Sequence, residues 1–385
     1  MKQFYFLCFL AGLSVIGFLA TDMYLPAFEM MRIDLQTESS LIGASLTIYL
    51  GGFALAQLFW GPITDNWGNR KTLLAGLSLF ILASLAIFLS HDIVVLIVMR
   101  LIQSFGACAA AVCWQALVID KYEKKEADHV FATIMPLVAL SPALAPIIGA
   151  FIAVHFGWRF IFVFIALAAL FLLVYAYSLD DRKKKKFDEL QSSLSYWNFF
   201  KKKHYIGYVL VYACCSAGFF AWLTGAPFFL SDLGYSESQI GLSFVPQTIT
   251  FILGGYGYRM IANKILGVKL LPYLLLLYAL SILVILYLAI WTVPNLMLLL
   301  IPFSLMAFTN GATYPIVVSE ALKPFKDNSG KAAALQNTLQ MGICFFASAG
   351  VSAWSRQALI ATSLTMSMTI LFAGVGFVLT LKTKS

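Results

Sequence analysis

Asp22 and Arg100 are the two charges that lie well inside long apolar runs of this chain. A charge at membrane depth costs roughly 2.5 to 3.5 kcal/mol on an insertion scale, so it persists when it is paired or lines a wet cavity. Two chemistries suit the pair. They can form a salt bridge that pins one span to another, or Asp22 can take up and release a proton while Arg100 tunes it or couples it to a substrate. The second reading is favoured, because acids within membrane spans are so often proton relays. Glu29, Arg159 and Glu320 fall at run ends, where water or headgroups reach them.

A second set of polar groups recurs inside the runs. Gln57, Gln103 and Gln115 lie in the first half of the chain, and Gln247, Asn310, Gln336, Asn337 and Gln340 in the second. Aromatic residues accompany them at Tyr24, Tyr49, Trp114, Phe220, Trp222 and Tyr314. Gln336 and Gln340, four apart, share one helix face. Buried amides can simply glue helices together. As a set, amides beside aromatic faces suit a planar, polar, neutral ring system, the amides pairing with its edge while the rings stack on its face. The expected substrate site therefore takes Tyr24, Trp114, Gln115, Trp222, Gln247, Asn310, Tyr314, Gln336, Asn337 and Gln340 from both halves, near the midplane.

Two further stretches bear on motion. The segment from Gly61 to Lys71 contains Asp65, Gly68 and Arg70, and reads as a tight loop whose charges meet neighbouring helix ends. Pro142 and Pro146, followed by Gly149, each remove a helix hydrogen bond and admit a close neighbour. They read either as a packing kink or as a bend on which the halves rock.

The elements that must position these residues are membrane helices. The chain has 385 residues, 61% hydrophobic and 11% charged. Its apolar runs of about 20 residues or more can each cross a hydrocarbon core. Twelve spans can be placed, near 4-28, 41-62, 71-90, 93-118, 129-153, 158-179, 205-230, 239-259, 270-290, 296-319, 331-353 and 358-381. Lysine and arginine concentrate in alternate gaps, around Arg70, Lys121–Lys125, Arg182–Lys203, Arg259–Lys269 and Lys323–Lys331. By the positive-inside rule those gaps and both termini are cytoplasmic. The polar stretch 180-203 reads as a cytoplasmic linker between two six-helix bundles, 1-179 and 204-385.

The net charge of +8 comes from these loops, faces anionic lipid headgroups and needs no nucleic acid to explain it. The six cysteines lie in apolar runs away from metal-ligand spacing and read as packing residues. No nucleotide-binding loop, zinc motif or catalytic triad order is present, so the chain is expected to be neither an enzyme nor ATP-driven. No cofactor is expected, a proton gradient is the expected energy source, and a monomer is expected.

Ala20–Ala27, the Gly61–Lys71 segment, Arg100–Gly106 and Ser141–Ala150 together resemble the major facilitator superfamily, and within it the Bcr/CflA-type drug/proton antiporters. The resemblance covers essentially the whole chain. It departs from the family at Asn66 and Asn69, where basic residues are usual. A closer resemblance, carried by Trp114–Val118, Met135–Val138, Phe219–Gly225, Val245–Ile249, Asn310–Val318 and Ala332–Gln340, is to that group's purine nucleoside transporters of enteric bacteria. It implies a proton-coupled efflux transporter of the bacterial inner membrane working by alternating access, with purine nucleosides first and drugs second as substrates. Proton-symport uptake, an uncoupled facilitator and a non-transporting sensor are the alternatives.

Overall fold

The computed structural model describes residues 2–179, 199–262, 264–292 and 294–381, which are helical nearly throughout and contain no strand. Lipid dictates this outcome, since a helix satisfies its own backbone hydrogen bonds where water is absent. In chain order the helices are α1 (Lys2–Asp22), α2 (Phe28–Asp34), α3 (Ser39–Leu89), α4 (Ile93–Lys121), α5 (Lys124–Phe156) and α6 (Arg159–Tyr177). They continue with α7 (Lys203–Asp232), α8 (Glu237–Ile261), α9 (Gly267–Trp291), α10 (Leu296–Leu322), α11 (Ser329–Ala353) and α12 (Ala358–Leu381). Most of the expected linker, residues 180–198, lies outside the described residues.

Two expectations change. The first span does not run unbroken to Phe28: α1 stops at Asp22, a turn and a short 3-10 segment (Leu25–Ala27) follow, and α2 carries the chain on to Asp34. Pro26 has no N–H to give the Asp22 carbonyl four residues earlier, which is where the α-helix fails. The expected loop from Gly61 to Lys71 is almost entirely helical. Its reversal is confined to Gly68, at φ 80° and ψ 163°, a conformation without cost to glycine alone. The twelve long helices expected are present, and among the described residues ten segments are long and apolar enough to cross a membrane on composition alone. α8 and α11 are the long helices missing from those ten. They are the least apolar ones, and they carry Gln247, Gln336, Asn337 and Gln340.

The chain divides into two compact units, one of residues 1–187 with 236–242, the other of 188–235 with 243–385. In the first, α3 packs along α4, and α1 touches α4, α5 and α6. At the end remote from the N-terminus, Arg159 of α6 ties three segments. Its Nη1 pairs with Asp34 Oδ2, and its Nε and Nη2 donate to the Ser90 carbonyl at 3.1 and 3.0 Å. Trp158 Nε1 adds a bond to the same Asp34 oxygen at 3.0 Å. At the opposite end, Asn69 Nδ2 donates to Asp120 Oδ2 at 2.8 Å, fixing the Gly68 turn to the end of α4.

In the second unit α7 is the core helix. Some 78% of its apolar window is buried, against 28% for α9 and for α12, whose outer faces are left for lipid. It contacts α10, α11 and α12, and Tyr278 of α9 reaches it with a hydroxyl bond of 3.3 Å to the Cys214 carbonyl.

Candidate functional site

The break after α1 holds the first group of residues. Asp22 is 2% exposed; its Oδ1 accepts from Thr21 Oγ1 at 2.9 Å, while its Oδ2 has no hydrogen-bond partner. Arg100 of α4 is 0% exposed, yet it does not pair with Asp22. Its Nη1 donates instead to the Ala20 carbonyl at 3.0 Å and to Gln103 Oε1, and Gln103 Nε2 passes the chain on to Ser84 Oγ at 2.7 Å. Ala20 lies in the last turn of α1, where the helix has run out of backbone donors, so a side chain takes up the carbonyl. Arg100 therefore does pin α4 to α1, through the backbone rather than through a salt bridge.

The guanidinium charge is met by aromatic faces. Its central carbon lies 4.3 Å from the ring centre of Tyr24 and 4.3 Å from that of Tyr49. Each such contact is worth about 2 kcal/mol when desolvated. Both rings are themselves fixed: the Tyr24 hydroxyl shares a hydrogen bond with Ser45 Oγ at 3.1 Å, and the Tyr49 hydroxyl donates to the Gly17 carbonyl at 3.2 Å. Gly149 of α5 closes the arrangement, since a Cβ there would overlap the Met23 carbonyl inside the break. The antiporter-like stretch of α5 thus touches the helix break beside Asp22. Within it the Val138 carbonyl, deprived of the Pro142 N–H, accepts from Ser141 Oγ at 3.0 Å.

Other first-unit candidates lie apart from this cluster or outside it. Trp114 is buried and meets the Phe131 ring edge-on at 5.3 Å, whereas Gln115 is exposed. Arg70 lies over the Tyr177 ring at 5.1 Å, and Gly61 has open space around it. The Asp65 side chain is not among the described groups.

The second unit gathers most of the amide set. Along one face of α7, Cys215, Phe219 and Trp222 meet the face of α10 that carries Phe303 and Asn310. Trp222 stacks on Phe303 at 3.9 Å and 12°, and Asn310 Nδ2 donates to the Cys215 carbonyl at 3.2 Å. One turn further, the Tyr314 hydroxyl accepts from Ser216 Oγ at 3.0 Å, and the Phe251 ring of α8 lies 5.7 Å from the Tyr314 ring. Gln247 precedes Phe251 by one turn on the same face of α8. It is 1% exposed, and neither its Oε1 nor its Nε2 has a partner. Trp222 Nε1, Asn310 Oδ1 and Gln336 Oε1 are also buried and unpartnered. An unmade hydrogen bond at a buried group costs about 1 to 3 kcal/mol, so this much unused capacity is what a polar ligand would satisfy. Gln340 is buried at 8% exposure, and Asn337 is half-buried.

Sequence reasoning missed Thr21, Ser45 and Ser84, which bond the charged cluster, and Phe303, which carries Trp222. Adjacency to Asp22 was a signal for Thr21. Phe303 stands seven residues before Asn310 and hence on its helix face. Nothing in the sequence pointed to the two serines.

Residues 10–349 match the family model of the Major Facilitator Superfamily. The chain is 33% identical over 266 residues to an uncharacterised MFS-type transporter of Bacillus subtilis, covering 67% of this chain and 64% of that one. It is 29% identical to a bicyclomycin resistance protein homolog of Haemophilus influenzae, with 69% and 68% covered. It is 27% identical to multidrug resistance protein D of Escherichia coli, with 87% and 85% covered. Among solved structures, that of a D-xylose-proton symporter superposes with a TM-score of 0.77 over 95% of each chain at 16% identity, a likeness of fold alone. A chain whose sequence matches that model over most of its length, and whose described residues form long apolar helices, belongs to the major facilitator superfamily of membrane transporters and groups with its Bcr/CflA-type members.

Proposed function

We propose that this chain is a proton-coupled antiporter that exports small organic molecules across a bacterial inner membrane by alternating access, with Asp22 carrying the proton. The observation behind the reading is a carboxyl that is 2% exposed, free of any ion pair, and unpartnered at Oδ2 beside a break in its own helix. A carboxylate without a counter-charge at membrane depth is costly, and a transported proton accounts for its presence. The relatives named for resistance to bicyclomycin and to multiple drugs support export. No cofactor enters this reading, and the proton gradient supplies the energy.

The substrate is a planar polar molecule, purine nucleosides first and drugs second. The unpartnered amide and indole atoms of Gln247, Asn310 and Trp222 support it, since together they offer donors and acceptors to a heterocycle edge beside stacked aromatic rings. The test is exchange of radiolabelled adenosine, guanosine and a cationic dye in proteoliposomes, with and without an imposed pH gradient. The gradient should drive substrate against proton flow, and Asp22→Asn should abolish that drive while the protein still folds and inserts. Unchanged gradient-driven transport in the variant removes Asp22 as the coupling group, and substrate moving with the proton makes the protein a symporter.

A further inference from the structure

Arg100 presents an unusual inventory. A guanidinium has five N–H donors and pairs with carboxylate more strongly than with any neutral acceptor. Here Nη1 is committed to the Ala20 carbonyl and Gln103, while Nε and Nη2 have no hydrogen-bond partner. Asp22 has an unused oxygen, and both charges lie within electrostatic reach of the Tyr24 and Tyr49 rings. Arg100 binds the chain two residues before Asp22, at the Ala20 carbonyl, and the ring two residues after it, at Tyr24, yet it makes no ion pair with the carboxyl between them.

We propose that Tyr24 and Tyr49 are positioning residues, which hold the Arg100 guanidinium against their ring faces and thereby off Asp22, leaving that carboxyl free to exchange its proton. The inference rests on Asp22 being the proton carrier. Each ring offers the cation a negative face, and the Tyr24 hydroxyl lies within hydrogen-bonding reach of it as well, so Arg100 is held without Asp22. Tyr24 comes from the turn two residues beyond Asp22, and Tyr49 from α3. Both rings are fixed by their own hydroxyl bonds, to Ser45 and to the Gly17 carbonyl. The other titratable group facing the cluster is Cys108 of α4, while α5 and α6 bring Gly149 against Met23 and Phe162 against Tyr24. Removing a ring frees the guanidinium to swing onto the carboxylate. An arginine in contact favours the charged carboxylate, so protonation then needs a more acidic medium.

The experiment is the pH dependence of substrate–proton exchange in proteoliposomes for wild type, Tyr49→Phe, Tyr49→Met and Tyr24→Met. Tyr49→Phe keeps the ring and loses only the hydroxyl tie to Gly17, so its half-maximal pH should stay closer to wild type than that of Tyr49→Met. The methionine variants keep apolar volume and lose a ring; their half-maximal pH should move about one unit or more towards acid. Adding Asp22→Asn to Tyr49→Met should erase the pH dependence. Equal shifts in the Phe and Met variants, or no shift in either Met variant, overturn the proposal. If both Met variants fail to fold, the infrared band of the Asp22 carboxyl in wild-type protein decides. It should titrate without a concerted change in guanidinium bands, and a concerted change means the two groups pair. Failure of the underlying reading looks different, because Asp22→Asn alone would then retain gradient-driven exchange.

Discussion

At the scale of single residues, the informative contrast in the second unit is between Gln247 and Asn310. Both are 1% exposed, but Asn310 spends its Nδ2 on the Cys215 carbonyl while Gln247 spends nothing on the protein. Gln247→Leu replaces two unmet buried groups by apolar ones, so the thermal unfolding midpoint should hold or rise. If the amide pairs with substrate, the same change should weaken nucleoside binding by about 5- to 150-fold, equivalent to about 1 to 3 kcal/mol, and leave a hydrophobic dye unaffected. Asn310→Ala should lower both nucleoside affinity and stability, because it also unties α10 from α7. Calorimetry of binding and thermal melts on the two variants check this, and equal losses for nucleoside and dye would make these amides helix glue. The sequence exposed the amides because polar groups are scarce in apolar runs. It could not separate the satisfied one from the unsatisfied one, which depends on a carbonyl 95 residues away in the chain.

At the scale of helices, length and hydropathy located the spans well but not their interruptions. The stop of α1 at Asp22 turns on Pro26 and on ties from three other helices: Arg100 of α4, Tyr49 of α3 and Gly149 of α5. The opposite error came at Gly61–Lys71, where polar residues suggested a loop and a single left-handed glycine makes the turn within helix. α5 is the element on which motion should depend. It is helical through both prolines, and the Val138 carbonyl relies on the Ser141 hydroxyl in place of a backbone donor. Replacing Pro142 and Pro146 together with Ala restores two helix donors and stiffens the segment that leads to Gly149 and the Asp22 break. Turnover should fall several-fold while equilibrium substrate affinity changes little, as read by counterflow rates against binding isotherms. Normal turnover with weakened binding would instead assign the prolines to shaping the cavity.

For the whole molecule, the same uneven charge that marked the spans also specifies orientation. Arg70 and Lys71 follow the turn between the two spans of α3, whereas the next connection, Ser90 to Asp92, carries no lysine or arginine. Short basic loops are retained in the cytoplasm, so the two connections should lie on opposite faces of the membrane, with both chain termini on the side of Arg70. Five of the six cysteines are buried, and Cys8 lies within the apolar span of α1, so an added surface thiol can be read against a low background. In intact cells a membrane-impermeant maleimide should label His91→Cys and spare Lys71→Cys, and inverted vesicles should give the opposite pattern. Labelling of Lys71→Cys from outside intact cells would mean that the charge pattern does not set this topology. The proton path through Asp22 would then have to be redrawn with its two mouths exchanged.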